Sequence, residues 1–446
     1  MAQKKDAKFI RGSTMRHVVV MSLSSSIGLV AVFLVDFVDM YFLSLLGEIE
    51  LASAIGYAGS ILFFTTSICI GLAIAMGALV SVSIGSGNIE RTKHYLVNIY
   101  AVILVITIVL AFFIWMFIPA LVSLLGAEGR SADLSIAYLR IMIPSMPIIG
   151  LAISSGAALR AVGDAKRSMF STLAGGAVNA ILDPFFIFTL DLGVEGAAIA
   201  SVIARFTMLV FAFYPVYKHH QLLTRFKFKL FIQDIRPIFT IVIPAILTNI
   251  ATPVANGYVT ASMAKFGDSA VAGMAIIGRL IPVAFGVVYA VSGAVGPIIG
   301  QNFGAKDLKR VKRTITDAFV FVAGYVAIVS VILFFSSEYI GIIFNVDAEA
   351  GHLINIFCFY VAITFIFSGS TFVGNAAFNN LGKPNYSTLL NWGKATIGTI
   401  PFVYFGALWF QAPGILIGQA FGNLLFGGIS ILISYLLVNK LEKKNS

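Results

Sequence analysis

The sequence predicts an all-α polytopic membrane protein with twelve transmembrane helices in two six-helix bundles. Three observations support this prediction: the composition, a series of long apolar segments and an internal repeat. The chain has 446 residues, of which 59% are hydrophobic and 11% charged, whereas a soluble domain carries about 25% charged residues. With a mean hydropathy of +0.95, the chain has too little polar surface to cover a water-soluble globule.

The apolar segments are typical of helices rather than β-strands. A bilayer core of about 30 Å requires about 20 apolar residues in a helix, and only helices and closed barrels satisfy their backbone in lipid. A barrel needs alternating strands of about ten residues, whereas the segment 99–118 is apolar throughout apart from Thr107. The predicted spans are 15–45, 52–82, 95–125, 132–156, 168–190, 194–216, 236–263, 270–301, 314–344, 350–377, 386–409 and 413–438.

Basic residues predict the orientation of these spans. With the N-terminus in the cytoplasm, most Lys and Arg residues fall in inner segments, and the outer loops hold only Arg130 and Lys265. This asymmetry places both termini in the cytoplasm. Because the basic residues are shared among short loops, the net charge of +10 does not indicate a nucleic-acid partner.

An internal repeat divides the chain in two. The stretch MGALVSVSIGSGNIERTKH (76–94) matches VGPIIGQNFGAKDLKRVKR (295–313) at an offset of 219, and Gly163 later aligns with Gly382. Six spans per half is an even number, so the halves insert with the same orientation. The repeat is therefore parallel, with a pseudo-two-fold axis along the membrane normal.

The repeat also predicts the domains. Residues 1–216 form an N-lobe that holds the cation site, and residues 236–446 form a C-lobe. The basic segment 217–235 is a cytoplasmic linker, which we expect to lie as an amphipathic stretch on the membrane surface.

Two similar lobes around a cleft are typical of an alternating-access carrier. A channel more naturally uses identical subunits or a filter motif. We also expect the protein to be a monomer. The chain has no GxxxxGK[ST] phosphate loop, which favours an ion gradient over ATP as the energy source. It has no arrangement of catalytic residues, and its two cysteines have no metal-ligand spacing. We therefore expect a non-enzyme without a cofactor.

Charged residues inside the spans mark the candidate site, because a charge at the bilayer centre is costly. Asp36 and Asp39 share one face of span 1, and Asn179 and Asp183 share one face of span 5. Carboxylates crowded in a low dielectric cannot all stay ionised cheaply, so this cluster can take up and release a proton. The alternative is that the acids only pair with Arg205, Arg279 or Lys394.

The second half differs from the first in its intramembrane charge. At an offset of 220, Asp36 and Asp39 align with Asn256 and Val259. In the repeat, the counterpart of the span that carries Asp183 is 386–409. This span has no acid and instead carries Lys394. We infer that the N-lobe binds the coupling cation and that Lys394 is a substrate-cleft candidate.

Three motifs resemble the multidrug and toxic compound extrusion (MATE) family over the whole chain. VDMYFLSLLG (38–47) is similar to the pattern of the family's first span, with an Asp followed eight residues later by Gly. ALRAVGDAKRSM (158–169) resembles the loop after span 4, and GVEGAAIAS (193–201) resembles the entry to span 6. This resemblance implies a bacterial transporter of the cytoplasmic membrane.

Within the family, the chain looks most like the DinF-like branch. That resemblance implies an N-lobe cation site of Asp39, Tyr138, Asn179, Asp183 and Ser201. The acid in span 7 of the NorM-like branch is absent, since 236–263 contains none. The chain departs from the family in lacking a proline in span 1 and in carrying Asp36 as an additional acid.

The resemblance implies export of amphipathic or cationic xenobiotics by proton-coupled antiport. Na⁺ is the alternative coupling ion, with possible ligands at Asp39, Asn179, Asp183 and Ser201. A lipid-linked precursor flippase is a further alternative, although such proteins tend to have more basic cavities. A non-transporting scaffold or receptor would leave the buried acids without a purpose. The expected partners are small-molecule drugs and the lipid bilayer.

Overall fold

A computed structural model describes residues 7–44, 49–344 and 346–445, and within these ranges the side chains at 36, 37, 39–41, 43, 44, 49, 52 and 445 lie outside the description. The described residues form helices and turns without a β-strand, which confirms the all-α prediction. The α-helices are α1 (Thr14–Ser44), α2 (Ile49–Gly85), α3 (Ile89–Met116), α4 (Ile118–Leu124), α5 (Gly129–Met142), α6 (Met146–Ala161), α7 (Ala165–Pro184), α8 (Gly193–Tyr214), α9 (Phe228–Met263), α10 (Asp268–Ala284), α11 (Gly286–Gly304), α12 (Leu308–Ile343), α13 (Ala348–Ile356), α14 (Phe365–Asn380), α15 (Asn385–Ala395) and α16 (Ile400–Asn445).

Ten helices among the described residues are long and apolar enough to cross a membrane. The number becomes eleven when Asp268–Ala284 and Gly286–Gly304, which meet at a bend of 44°, count as one broken span. One of the ten, Asn385–Lys444, has 60 residues, about three times the length that a bilayer requires.

That 60-residue segment folds back on itself. Gln411 has a non-helical backbone conformation (φ 56°, ψ −140°), and Pro413 follows it. On either side of this break the backbones of Gly406 and Gly414 are in contact, and so are those of Gly398 and Gly422. Going away from the break, residue numbers fall along the first arm and rise along the second, so the two arms run antiparallel. Glycine at the contacts lets their backbones approach closely.

The same turn geometry occurs twice, 219 residues apart. The Oδ1 atoms of Asn88 and Asp307 each accept a hydrogen bond of 2.9 Å from the backbone N–H three residues on. The residues before these caps, Gly87 and Lys306, both have a positive φ, of 76° and 62°. A side-chain oxygen that satisfies a free N–H at a helix start is a strong N-cap. The sequence match at 76–94 and 295–313 therefore corresponds to a shared helix–turn–helix geometry.

The chain forms two compact units, which we call unit A (Ile27–Ser83 and Asn88–Val242) and unit B (Met1–Ser26, Ile84–Gly87 and Ile243–Ser446). Unit B therefore includes the start of the chain as well as its second half.

The segment before α1 is anchored inside unit B. Phe9 is buried, and its backbone N–H donates to Oε1 of Gln301 at 2.9 Å. Its carbonyl accepts from Nη2 of Arg310 at 2.9 Å, and Nη1 of the same side chain donates to the carbonyl of Gly12 at 3.1 Å. One arginine thus binds two backbone carbonyls of the N-terminal segment.

The segment before the second half is anchored in unit A in a similar way. Asp234 is fully buried and lies 2.6 Å from Nη2 of Arg91. Its other oxygen accepts from Nδ2 of Asn98 at 2.7 Å. The C-terminal end of the predicted linker 217–235 belongs to α9, which begins at Phe228, and the membrane-surface position of the linker stays a prediction. A buried ion pair attaches this end to α3, and hydrophobic patterning alone does not reveal such a pair.

Candidate functional site

A buried amide–carboxylate pair lies in α7. Nδ2 of Asn179 donates to Oδ2 of Asp183 at 2.8 Å, and the two residues are 7% and 0% exposed. The α-helix ends at Pro184 and continues as a π-helical segment, Phe185–Thr189. π-Helical turns occur frequently at functional sites. The π-helical segment and the buried Asp183 therefore both indicate a functional site at this end of α7.

Helix α8 packs closely against α7 and brings Ser201 to the level of this pair. A Cβ atom on Gly175 would lie 3.1 Å from the carbonyl oxygen of Ala204, and one on Gly196 would lie 2.7 Å from the carbonyl of Phe186. These contacts make α7 and α8 antiparallel. Position 179 of α7 lies between these two contacts, and the position of α8 at the same height along the helix pair is Ser201.

From Ile27 onwards, helix α1 belongs to unit A and runs parallel to α7. A Cβ atom on Gly28 would lie 3.4 Å from Cβ of Thr172, and one on Gly176 would lie 3.0 Å from Cγ2 of Val35. Continued by one turn, this register brings the α1 backbone at position 39 to about the level of Asn179. The side chains of Asp36 and Asp39 lie outside the described residues, so their contacts stay a prediction.

Tyr138 of α5 lies at the same end of unit A. It packs, partly buried, against a cluster formed by Leu51, Ala54, Leu134, Ile187, Val194 and Ala197. Ile187 and Ala197 are each four residues from Asp183 and Ser201, which is one helical turn. The predicted residues Tyr138, Asn179, Asp183 and Ser201 therefore lie on three helices that pack together, α5, α7 and α8, and their assembly into one site stays a prediction.

Arg205 lies one turn beyond Ser201 on α8. Its Nη1 donates to Oγ of Ser145 at 2.7 Å and to the carbonyl of Met142 at 3.3 Å. These acceptors lie at the 3₁₀ turn Ile143–Ser145 between α5 and α6. The arginine thus binds one side-chain hydroxyl and one backbone carbonyl where α5 ends.

The described residues contain no group of three or more His, Cys, Asp or Glu side chains that could hold a metal ion. The oxygens that the predicted site would supply come from a carboxylate, an amide, a hydroxyl and a phenol. Such a set can hold a proton on the carboxylate, and neutral oxygens of this kind also suit a small hard cation.

The motif at 158–169 has a structural role. Gly163 has a positive φ of 85°, and the side chain of Asp164 then caps α7 by accepting from the backbone N–H of Arg167 at 3.3 Å. The same carboxylate also accepts from the Arg167 guanidinium and, at 2.9 Å, from Nε2 of His220. Partial burial by itself would raise the pKa of Asp164, but the hydrogen bonds from His220 and Arg167 outweigh it and hold that pKa well below its usual range.

Lys394 lies near the end of α15 in unit B, half-buried. One turn earlier, Nδ2 of Asn391 donates to Oδ1 of Asn375 on α14 at 2.9 Å. The sequence pattern predicted a role for Lys394 but for neither asparagine. The signal for them was available, because a polar amide within an apolar span has to find a partner.

The comparison with family models decides the identity of the chain. The MatE model matches residues 25–185 and again residues 244–405, which together are more than half of the chain. The chain belongs to the MatE family. The two matched segments begin at the offset of the internal repeat. The predicted MATE resemblance is confirmed, and with it a multi-pass membrane transporter rather than an enzyme.

Two curated relatives cover nearly the whole MatE chain. An FAD transporter of Shewanella oneidensis is 28% identical over 416 residues, covering 91% of each chain. The multidrug export protein MepA of Staphylococcus haemolyticus is 25% identical over 440 residues, covering 97% of this chain and 96% of its own length.

Solved structures share the fold. The Vibrio cholerae MATE transporter VcmN in its bent form matches with a TM-score of 0.90 at 24% identity, covering 96% of this chain and 97% of that one. A MOP superfamily transporter from Pyrococcus furiosus matches with a TM-score of 0.91 at 19% identity, covering 98% of both chains. At these identities the likeness shows the MATE fold alone.

Proposed function

We propose that this MatE-family protein is a secondary exporter that couples the inward movement of protons to the outward movement of organic small molecules by alternating access. The observation that supports it best is the fully buried Asp183, paired with Asn179 beside a π-helical segment. A carboxylate inside a membrane span is costly and marks a functional site by default.

In the proposed mechanism, Asp39 and Asp183 take up a proton from the outer side and release it inside. Asn179, Tyr138 and Ser201 position and stabilise these carboxylates in their two charge states. A unit charge moved through 100 mV gains about 2.3 kcal/mol, so a single proton per cycle contributes to export even without a pH gradient. Asp36 modulates the cluster rather than carrying the proton.

The alternative coupling ion is Na⁺. The same oxygen set, Asp39, Asn179, Asp183 and Ser201, would then be its ligands. Because a proton needs a single basic atom and Na⁺ needs several oxygens, the two versions differ in their dependence on Asn179 and Ser201. Replacing either with an apolar residue should abolish Na⁺ coupling but only weaken proton coupling.

The proposal includes twelve spans. Counting the bent pair α10–α11 as one span, and the two antiparallel arms of Asn385–Lys444 as two, raises the ten candidate helices to twelve. We further propose two six-helix lobes, 1–216 and 236–446, related by a parallel pseudo-two-fold axis. The protein would be a monomer in the bacterial cytoplasmic membrane with both termini inside.

The relatives suggest two classes of substrate. The MepA proteins are named multidrug exporters, which supports the amphipathic and cationic drugs that the motifs imply. The Shewanella oneidensis relative is named an FAD transporter, which makes an anionic dinucleotide the second candidate. One feature of this chain favours the second class: Lys394 in a half whose spans carry no mid-span acid.

The test is transport by the purified protein in liposomes under an imposed pH gradient or an imposed Na⁺ gradient. We expect drug or flavin movement with the pH gradient alone, and its loss in Asp183→Asn. The matched control is Asp191→Asn, which makes the same change at an exposed position with a positive φ that Asn accepts well. Movement driven only by Na⁺, or full activity of Asp183→Asn, would overturn proton coupling through this site.

A further inference from the structure

Five side chains in unit B form a strip across three helices. The rings of Tyr289 on α11 and Phe372 on α14 have centroids 5.5 Å apart at an angle of 55°. Asn375 lies one turn from Phe372 on α14, and its Oδ1 accepts from Nδ2 of Asn391 on α15 at 2.9 Å. Lys394 lies one turn beyond Asn391. The strip thus joins an aromatic pair, two amides and an ammonium group.

The amides and the amine of this strip have unused hydrogen-bonding capacity. Asn375 is only 6% exposed. In the part of the chain that the structure describes, its Nδ2 has no hydrogen-bond acceptor, and Oδ1 of Asn391 and Nζ of Lys394 are likewise without a partner. None of these three atoms is among the fully buried atoms of the described residues that lack a partner, so they face accessible space, where a ligand can reach them.

A second, independent observation lies on the neighbouring arm of α16. Asn423 is 7% exposed, and its Oδ1 is buried without a hydrogen-bond partner among the described residues. It follows Gly422, whose backbone contacts Gly398, four residues after Lys394. A buried amide oxygen without a partner thus lies on the arm of α16 that packs beside the end of α15.

The charge of Lys394 is not balanced from within its half. Six acids of 236–446 lie near the ends of their helices or in loops: Asp268, Asp307, Glu338, Asp347, Glu349 and Glu442. The seventh, Asp317 in the third turn of α12, accepts a hydrogen bond from the Thr14 hydroxyl. An ammonium group inside a membrane protein requires a counter-charge or a wet cavity. A negatively charged ligand would supply that counter-charge.

We propose that the strip binds planar heteroaromatic substrates that carry a phosphate, as flavin nucleotides do. Tyr289 and Phe372 contact the ring system, Asn375 and Asn391 hydrogen-bond its amide-like edge, and Lys394 binds the phosphate. Aromatic faces accept planar rings of many kinds, whereas a primary amine binds phosphate as a point charge. The inference rests on the proposed export function and identifies the substrate class and the residues that select it.

The experiment measures equilibrium binding to the full-length protein in detergent, with no ion gradient, by quenching of flavin fluorescence. The probes are riboflavin 5′-phosphate, neutral riboflavin and, in competition, tetraphenylphosphonium. We expect the phosphate to bind about tenfold more tightly than riboflavin, and Lys394→Met to remove this difference while riboflavin binding is unchanged. Lys394→Arg, which keeps the charge, should retain most of the preference.

The amide arm of the site has its own test. Asn375→Leu should weaken both flavins by a similar factor, because each uses the same ring edge. Lys383→Met, which removes an exposed lysine from the loop before α15, is the matched control and should change neither affinity.

Two results would overturn the proposal: equal affinities of the wild type for the two flavins, or an equal loss of all three probes in Lys394→Met. Because no gradient is applied, these outcomes are independent of proton coupling. Failure of pH-driven transport with intact flavin selectivity would count against the proposed function alone.

Discussion

The buried ion pair between Arg91 and Asp234 provides a direct test of how the second half is attached to α3. The substitution Arg91→Leu removes the guanidinium, whose Nη2 lies 2.6 Å from Oδ1 of Asp234. The carboxylate is 0% exposed and keeps a single hydrogen bond, of 2.7 Å from Asn98. The variant therefore contains a buried charge without its counter-charge.

Removing one partner of a buried pair costs about 3–5 kcal/mol. The lower end of this range applies here, because Asn98 still donates to the carboxylate and Arg91 is 33% exposed. We expect a loss of about 3 kcal/mol in the free energy of unfolding, which is a factor of roughly 100 in the equilibrium constant. Arg91→Leu combined with Asp234→Leu should recover much of this loss, since well-packed apolar replacements of a buried pair are often neutral.

The assay is equilibrium unfolding of the purified protein in mixed micelles, followed by far-ultraviolet circular dichroism. The matched control is Lys93→Leu, which breaks an ion pair of 3.2 Å with Glu90 in the same turn of α3. Because Glu90 is 72% exposed, this change should cost less than about 1 kcal/mol. The reasoning is refuted if Arg91→Leu costs no more than Lys93→Leu, or if the double variant is less stable than Arg91→Leu.

Three further predictions concern other parts of the chain. Asp39→Asn should abolish pH-driven export while leaving the protein folded, whereas Asp36→Asn should keep most of the rate; liposome transport measures both, and equal losses would show that Asp36 carries the proton. The lowered pKa of Asp164 contributes stability above its unfolded value of about 3.9 that is lost as the pH falls through the folded value. In melting curves from pH 7 to pH 3, Asp164→Asn should therefore be less stable at pH 7 and less sensitive to acid; parallel curves would contradict this. Gly422→Ala places a methyl group against a facing backbone carbonyl and should cost about 1–3 kcal/mol or more, whereas Gly428→Ala, with open space at its Cβ, should change the melting temperature little.

Local features of the sequence were sufficient for the helices and for the family. The predicted span at 15–45 corresponds to Thr14–Ser44, and the one at 236–263 ends where α9 ends, at Met263. These predictions succeed because the run length of apolar residues is set by the bilayer and can be read in a single segment. The pairing of Asn179 with Asp183 can also be predicted from a single segment, because residues four apart on one helix share a face.

The repeat at an offset of 219 is another property of the sequence alone. It anticipates the two matches to the MatE model, 25–185 and 244–405, and the twin caps at Asn88 and Asp307. A cap depends on three or four consecutive residues, and Asn88 and Asp307 each provide a side-chain oxygen at the same place, so both halves form the same turn.

Only the tertiary structure decided which distant residues meet. In the sequence, Asp234 is one polar residue among many in a basic linker. In the structure it is buried against Arg91, 143 positions earlier. Similarly, the alignment of Ser201 with Asn179 depends on Gly175 and Gly196, whose missing side chains set how closely α7 and α8 approach. Hydropathy and periodicity describe one helix at a time, whereas a buried charge is satisfied by whichever helix packs beside it. The sequence therefore determined what each helix is and which of its faces is polar, and the packing of helices determined which polar groups act together.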